Sequence, residues 1–410
     1  MRAMISFIIV MYPILSIYRS PIKGVDFGTF AILVTSPLIF ARFTKHLKIK
    51  INHFMLALIL YTFIDSILAY TLSSPTDIIM QILRLGKFVI ILSIVFLIAN
   101  YHAFDYNLAK KYLRIMAFIT TLIIIIQNIA FYICNKYISL VAYNYITNEA
   151  YINSIIYPSM QLYRPTSLFL EPAHYSQYNI LCLCYSLFGD HQNRKSNLKL
   201  AIFITVGLLL STSGQGILLC ALLWFIWFLN IMLTSKIDII KKLLLLFLVI
   251  VFVVYIIPQI FNLYIMQESI YRVWDFEKDE PGPALSGRIF TYSYFNELPL
   301  LYKLIGVGFG NVPKGVYFNG ISYILYTIGV IGLFIVMLFL LNAFIHTRNF
   351  QRCFCLIYFL LLIGSQTFTA VNIVFYFAFI YCGYQRHKND FLVFKRKVPI
   401  NVNDYQQYPL

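Results

Sequence analysis

Residues 319–345 read Asn-Gly-Ile-Ser-Tyr-Ile-Leu-Tyr-Thr-Ile-Gly-Val-Ile-Gly-Leu-Phe-Ile-Val-Met-Leu-Phe-Leu-Leu-Asn-Ala-Phe-Ile, without one charged side chain. The apolar core of a bilayer is about 30 Å thick, and roughly 20 residues of α-helix cross it. This stretch is long enough and apolar enough to do so. It therefore predicts a transmembrane helix.

The same pattern recurs along the chain. Of the 410 residues, 60% are hydrophobic and 12% are charged, whereas a soluble domain is about half apolar and a quarter charged. Too few charged side chains are present to cover a soluble surface, which excludes a cytosolic enzyme. We predict an all-α polytopic integral membrane protein with about 12 transmembrane helices, near residues 3–18, 25–41, 54–72, 80–99, 113–134, 173–189, 199–211, 214–233, 243–261, 319–345, 353–366 and 369–384.

The first run and the cysteines carry no further signal. The run from Ala3 to about Tyr18 lacks a small-residue cleavage site, so we interpret it as a retained helix rather than a signal peptide. The seven cysteines lie in or at the ends of apolar runs without zinc-type spacing, which is typical of small core residues. We therefore expect no metal and no other cofactor.

Basic residues predict the orientation, because cytoplasmic loops of membrane proteins are enriched in Lys and Arg. With the N-terminus inside, 21 of the 32 Lys and Arg residues fall in segments that face the cytoplasm. Both termini are then cytoplasmic, and the net charge of +16 indicates topology rather than a nucleic-acid partner.

This topology divides the chain into helical groups and two long outer loops. The predicted segments are five N-terminal helices (1–134), an outer loop (135–172), four central helices (173–261), a large outer loop with a short amphipathic helix (262–318), three C-terminal helices (319–384) and a basic cytoplasmic tail (385–410). Long segments on one face are where a membrane protein usually carries its chemistry.

The first outer loop ends in a group of polar side chains. Pro172 predicts the start of a helix, which places Glu171 at the positive end of the helix dipole, where it stays ionised. His174, Gln177 and Tyr178 follow on one face of that helix. The alternative is that Glu171 only caps the helix and pairs with Arg164.

The second outer loop has three parts. Residues 271–283 form an acidic, turn-rich stretch that suits a surface turn or a mobile flap. Next, Arg288, Tyr292 and Phe295 share one face of a predicted surface helix that begins near Ser286. The Gly-x-Gly-x-Gly run from Gly306 lets the backbone pass close to a ligand or a helix.

Two cations lie inside the fourth predicted span. Arg84 and Lys87 are costly in a bilayer unless they are paired or face water, so they indicate a functional position. They either extend to lipid headgroups or bind an anionic headgroup in a cavity, and Asp65 is a possible partner for either. The polar run Ser211 to Gly216 lines a cavity or forms a tight turn.

Together these residues describe one chemical site on the outer face. Arginine binds phosphate bidentately, and a pyrophosphate leaving group needs its growing charge neutralised. A carboxylate or an imidazole can accept the proton of an attacking sugar hydroxyl. We predict Glu171, His174 and Arg288 as catalytic residues, and the following as substrate-binding: Arg164, Arg84, Lys87, Tyr178 and Tyr292. Nucleotide sugars are cytoplasmic, so a sugar donor on this face would be lipid-linked.

The sequence resembles the O-antigen polymerase (Wzy) family of bacterial cell-envelope proteins. Four stretches carry the resemblance: Arg164-Pro-Thr-Ser-Leu-Phe-Leu-Glu171-Pro-Ala-His-Tyr175, Ser211-Thr-Ser-Gly-Gln-Gly-Ile217, Gly287-Arg288 through Gly306-Val-Gly-Phe-Gly-Asn311, and Asn319-Gly-Ile-Ser-Tyr323 through Gly329-Val-Ile-Gly-Leu333. Related O-antigen ligases usually carry a histidine just before the asparagine that opens the span after the large loop. Here that position is Phe318, which favours the polymerase.

The resemblance implies an enzyme of the bacterial inner membrane whose active site faces the periplasm. Such a glycosyltransferase would move a growing glycan from undecaprenyl pyrophosphate onto a lipid-linked repeat unit, without a metal. Its partners would be the undecaprenyl-pyrophosphate-linked oligosaccharide, membrane lipids and a chain-length regulator. The alternatives are a ligase that transfers glycan to the lipid A core, a flippase for lipid-linked oligosaccharides, and a receptor or scaffold.

Overall fold

A computed structural model describes most of the chain. The described residues are 2–22, 24–43, 53–73, 78–100, 103–147, 163–189, 197–234, 238–251, short pieces between 254 and 278, 280–313, 315–368 and 373–383. The predicted cytoplasmic tail, 385–410, lies outside them, as do residues 272, 273, 276, 277 and 279 of the acidic stretch 271–283. Of that stretch, two short antiparallel strands are described, Trp274–Asp275 (β1) and Glu280–Pro281 (β2).

Nearly all other regular structure is helical. The helices are Arg2–Leu15 (α1), Phe27–Phe43 (α2), His53–Ser73 (α3), Ile78–Asn100 (α4), Tyr106–Tyr132 (α5), Pro172–Phe188 (α6), Leu198–Leu210 (α7), Gly214–Thr234 (α8), Ile239–Val251 (α9), Pro283–Asn296 (α10), Leu300–Ile305 (α11), Gly320–His346 (α12), Phe350–Gly364 (α13) and Ile373–Gly383 (α14), with one 3-10 turn at Tyr143–Tyr145.

Five of these helices are long and apolar enough to cross a membrane, namely α3, α4, α5, α8 and α12. Shorter apolar helices accompany them, among them α1, α7, α13 and α14. The prediction of an all-α membrane protein is confirmed in this coarse form. The number of twelve crossings and the orientation of the chain stay predictions.

α6 lies in the centre of the bundle. It contacts α5, α7, α8 and α13, and most of its side chains are buried. Its 17 residues include many polar side chains, and in an apolar environment only neighbouring helices can supply their hydrogen-bond partners. Asn179, for example, donates to Thr120 of α5 (3.2 Å). The central position of α6 fixes where its N-terminal end, with Glu171, emerges.

α12 is interrupted at Gly329, which has φ +67° and ψ −174°. The break removes the helical donors of the preceding carbonyl groups. Replacement donors come from elsewhere: the Val307 and Gly308 amides bond the carbonyls of Tyr326 and Thr327 at 3.0 Å each, and the Tyr61 hydroxyl bonds that of Ile328 at 3.1 Å.

The glycine segment, residues 306–310, passes between α3, α4 and the broken helix. A methyl group at Gly306 would overlap the Thr327 carbonyl. Ser66 accepts a hydrogen bond from the Phe309 amide (2.9 Å), and the Tyr70 hydroxyl donates to the Phe309 carbonyl. The prediction that this run lets the backbone pass close to a helix is confirmed.

Candidate functional site

Glu171 lies at the N-terminal end of α6, where the sequence predicts it. It occupies the N-cap position before Pro172, but its side chain makes no capping hydrogen bond. The carboxylate is partly exposed, and its charge acts on His174, one turn into the helix. Glu171 therefore does not cap the helix with its side chain, and its negative charge remains beside an imidazole.

The approach to Glu171 is held against α5. The Ser167 amide donates to Gln127 Oε1 (2.9 Å), and the Ser167 hydroxyl donates to the Thr120 carbonyl (2.8 Å). Tyr163 stacks on Phe131 of the same helix, with ring centroids 4.3 Å apart. These contacts hold the chain on either side of Arg164, at Tyr163 and at Ser167, which lies four residues before Glu171.

Arg288 lies on α10, which docks on the first turn of α12. Thr291 Oγ1 donates to Ser322 Oγ (2.9 Å) and Tyr292 Oη donates to Asn319 Oδ1 (3.5 Å). The same Asn319 oxygen caps α12 by accepting from the Ser322 amide at 2.8 Å. The docking places Arg288, which is partly exposed, beside the start of α12.

Tyr317 lies within electrostatic reach of both Glu171 and Arg288. The pKa of the Tyr317 phenol is raised above its usual value, mainly because the hydroxyl is buried. The Glu171 carboxylate also raises this pKa. The Gln366 amide, which donates to the hydroxyl at 3.4 Å, and the Arg288 guanidinium act in the opposite direction and lower it. Glu171 and Arg288 therefore lie close enough to act on one phenol. Meanwhile 54% of the Tyr317 surface is exposed. We name Glu171, His174, Arg288 and Tyr317 the charged cluster.

Polar residues from three helices lie next to the charged cluster. Gln215 Oε1 of α8 accepts from the Ser365 hydroxyl at the end of α13 and from Gln177 Nε2 of α6 at 3.5 Å. The Ser365 carbonyl accepts from the Gly320 amide (2.9 Å), which ties this group to α12. The predicted polar turn Ser211 to Gly216 thus contributes a partly buried amide to this group.

Tyr178 does not join the site, which corrects its assignment as a substrate-binding residue. It is 1% exposed, stacks on Phe375 at 5.1 Å between ring centroids and contacts Phe169. On the helix, Tyr178 follows His174 by one turn, so its ring points deeper into the bundle. It is a core residue.

Arg84 and Lys87 also have other partners than the prediction gave them. Arg84 Nη1 donates to the Gly310 carbonyl (2.9 Å), and Lys87 Nζ forms an ion pair with Asp26 at 2.5 Å. Asp26 itself accepts from the Thr29 amide at 2.8 Å. Asp65 thus serves neither cation as the ion-pair partner that the sequence offered.

Sequence reasoning missed Tyr317 and Ser365, and it gave Gln215 only as part of the polar run Ser211 to Gly216. Tyr317 directly precedes the Phe318-Asn319 pair that the sequence singles out, so its position was the available signal. Gln215 and Ser365 are 150 positions apart in sequence, and no local pattern relates them. The arrangement places a carboxylate, an imidazole, a guanidinium and an exposed aromatic ring at one end of the bundle. No family model matches this sequence, and a search of curated proteins gives no significant match.

Proposed function

We propose that the protein is a membrane-embedded glycosyltransferase of the O-antigen polymerase type. It transfers a growing glycan from undecaprenyl pyrophosphate onto a lipid-linked repeat unit at the periplasmic face. The observation that carries the proposal is the charged cluster: Glu171 and Arg288 act on the same Tyr317 hydroxyl at one end of the bundle. A base and a cation that both act on one phenol suit a transfer that deprotonates a hydroxyl and releases a pyrophosphate.

The reaction requires two charge movements. The acceptor hydroxyl oxygen attacks the anomeric carbon, the bond from that carbon to the phosphate oxygen breaks, and undecaprenyl pyrophosphate leaves with the electron pair. Arg288 offers a planar cation to the leaving group. Glu171, with His174 one turn away, takes the hydroxyl proton. The resemblance of the stretches around Arg164, Glu171 and Arg288 to the polymerase family supports this assignment.

Tyr292 and Arg164 would contact the substrate beside these groups. Tyr292 lies one turn after Arg288 on α10 and is partly exposed. Its hydroxyl binds Asn319, so its position is fixed and its ring can support a sugar. Arg164 precedes Glu171 on the segment held by α5.

The experiment is glycan profiling of a strain that lacks this gene, complemented with variants. Loss of a polymerase leaves lipid A core with one repeat unit, and Glu171→Gln and Arg288→Ala should each reproduce that profile. Lys303→Ala, which removes a charge from the same predicted loop, is the matched control and should restore long chains. A bare core in the deletion strain would indicate the ligase instead. Unchanged long chains with both site variants would refute the assignment of the site.

A further inference from the structure

Asp65 is a buried acid that the proposed reaction does not use. It lies on α3, is 3% exposed, and its Oδ2 atom has no hydrogen-bond partner within the part of the chain that the structure describes. The two cations of α4 have other partners, Gly310 for Arg84 and Asp26 for Lys87. A carboxylate here would hold a charge in an apolar environment without a counterion, which is costly.

Counting hydrogens at the neighbouring Tyr61 shows what is missing. The Tyr61 hydroxyl bonds the Ile328 carbonyl at 3.1 Å and also lies within hydrogen-bonding reach of the Asp65 carboxyl. A hydroxyl carries one hydrogen but can also accept. With Asp65 ionised, two acceptors would share that one hydrogen. If Asp65 carries a proton, it donates to Tyr61 and Tyr61 donates to Ile328.

We propose that Asp65 is an intramembrane proton-binding site, in which a hydrogen-bonded chain runs from the Asp65 carboxyl through the Tyr61 hydroxyl to the Ile328 carbonyl. The chain ends at the break in α12, because Ile328 directly precedes Gly329. The Tyr61 hydroxyl replaces the amide donor that the break removed, and the Asp65 proton leaves that hydroxyl free to donate to Ile328. After loss of the proton, the single hydrogen of the Tyr61 hydroxyl could bond either the Asp65 carboxylate or the Ile328 carbonyl, but not both.

Other ionisable groups surround this part of the bundle and all have partners. Tyr70 of α3 donates to the Phe309 carbonyl, and Tyr323 of α12 lies within hydrogen-bonding reach of the Gly310 backbone. Arg84 also bonds Gly310. These three bind the glycine segment, while Asp65 and Tyr61 bind the end of the first half of α12. The hydrogen bonds of Asp65 and Tyr61 are therefore separate from those that hold the glycine segment.

Infrared difference spectroscopy of the purified protein in lipid nanodiscs tests the proposal. The wild type at neutral pH should show a carboxylic-acid C=O stretch that shifts in D2O and disappears in Asp65→Asn. Tyr61→Phe should keep the band but shift it, because the acid loses its acceptor. Asp26→Asn is the matched control: Asp26 is ion-paired to Lys87, so its replacement should leave the band in place.

Thermal unfolding against pH provides a second measurement. The melting temperature of the wild type should fall as rising pH removes the proton, whereas Asp65→Asn, whose amide also donates to Tyr61, should lack that fall. If the acid band is absent and Na⁺ raises the melting temperature of the wild type but not of Asp65→Asn, the proposal of a bound proton is wrong. Asp65 would then bind a sodium ion. Absence of both the band and any Na⁺ effect would overturn the proposal. If Asp65→Asn does not fold, the Tyr61→Phe shift still decides.

Discussion

Two arginines of this protein lie near the same end of α12 and have different surroundings. Arg84, inside a predicted span, donates to the Gly310 carbonyl and holds the glycine segment. Arg288, on a predicted surface helix, acts on Tyr317 together with Glu171. The difference teaches that a charge within an apolar run can be satisfied by groups of the fold itself, as Arg84 is by the Gly310 carbonyl. The charge next to an exposed ring and an opposite charge is the better candidate for substrate binding.

The largest effect that separates the two regions should come from the break in α12, on which the glycine segment held by Arg84 packs. Gly329→Ala should abolish recovery of folded protein, because its φ of +67° is strained for alanine and the new methyl group would overlap the Leu304 carbonyl. The combined cost is roughly 3 kcal/mol or more. Size-exclusion profiles of detergent-solubilised protein measure it.

Gly287→Ala on α10 is the control for that substitution. No atom lies within 4 Å of the added methyl group, and φ is negative. Alanine in a helix is favoured over glycine by about 0.5–1 kcal/mol. The variant should therefore be recovered at least as well as the wild type, and equal loss of both variants would contradict the packing argument.

Arg288→Ala should give the next largest effect, this time on activity. Removal of one group that stabilises developing charge lowers kcat by about 10²–10³-fold. We expect a decrease of that order in polymer formation with lipid-linked substrate, at unchanged melting temperature. Arg288→Lys should recover part of the rate, since it keeps the charge and loses the bidentate geometry.

Arg84→Gln should show the opposite pattern. A hydrogen bond from a charged donor contributes about 1.5–3 kcal/mol, so the melting temperature should fall, while the KM for lipid-linked donor in the remaining folded protein should stay near that of the wild type. A large rise in KM without loss of stability would mean that Arg84 binds pyrophosphate after all. The pair of variants thus tests the comparison from both sides.

Tyr317→Phe should give the smallest effect. It removes the hydroxyl that accepts from the Gln366 amide, which costs about 0.5–1.5 kcal/mol, and it keeps the exposed ring. Polymer length should be near normal in Tyr317→Phe and shorter in Tyr317→Ala. Equal profiles for the two variants would show that the ring has no role.

The sequence predicts the helical membrane class, the start of α6 at Pro172 and the close approach of the glycine segment, because each depends on local composition. It also places Glu171, His174 and Arg288 at candidate positions. The sequence does not predict which side chains pair across the bundle. Lys87 with Asp26, Ser365 with Gln215 and Tyr178 with Phe375 depend on how helices pack. The break at Gly329 is equally hidden, since residues 319–345 read as one uninterrupted apolar run.

That break has a consequence for biosynthesis. In lipid an unsatisfied carbonyl group costs several kcal/mol, and α12 exposes three of them just before Gly329. Two receive amides from Val307 and Gly308, which the ribosome makes about twenty residues earlier. The third receives the hydroxyl of Tyr61, which enters the membrane long before. Every donor is thus synthesised ahead of its acceptor, so the broken helix can complete its bonds as soon as it emerges.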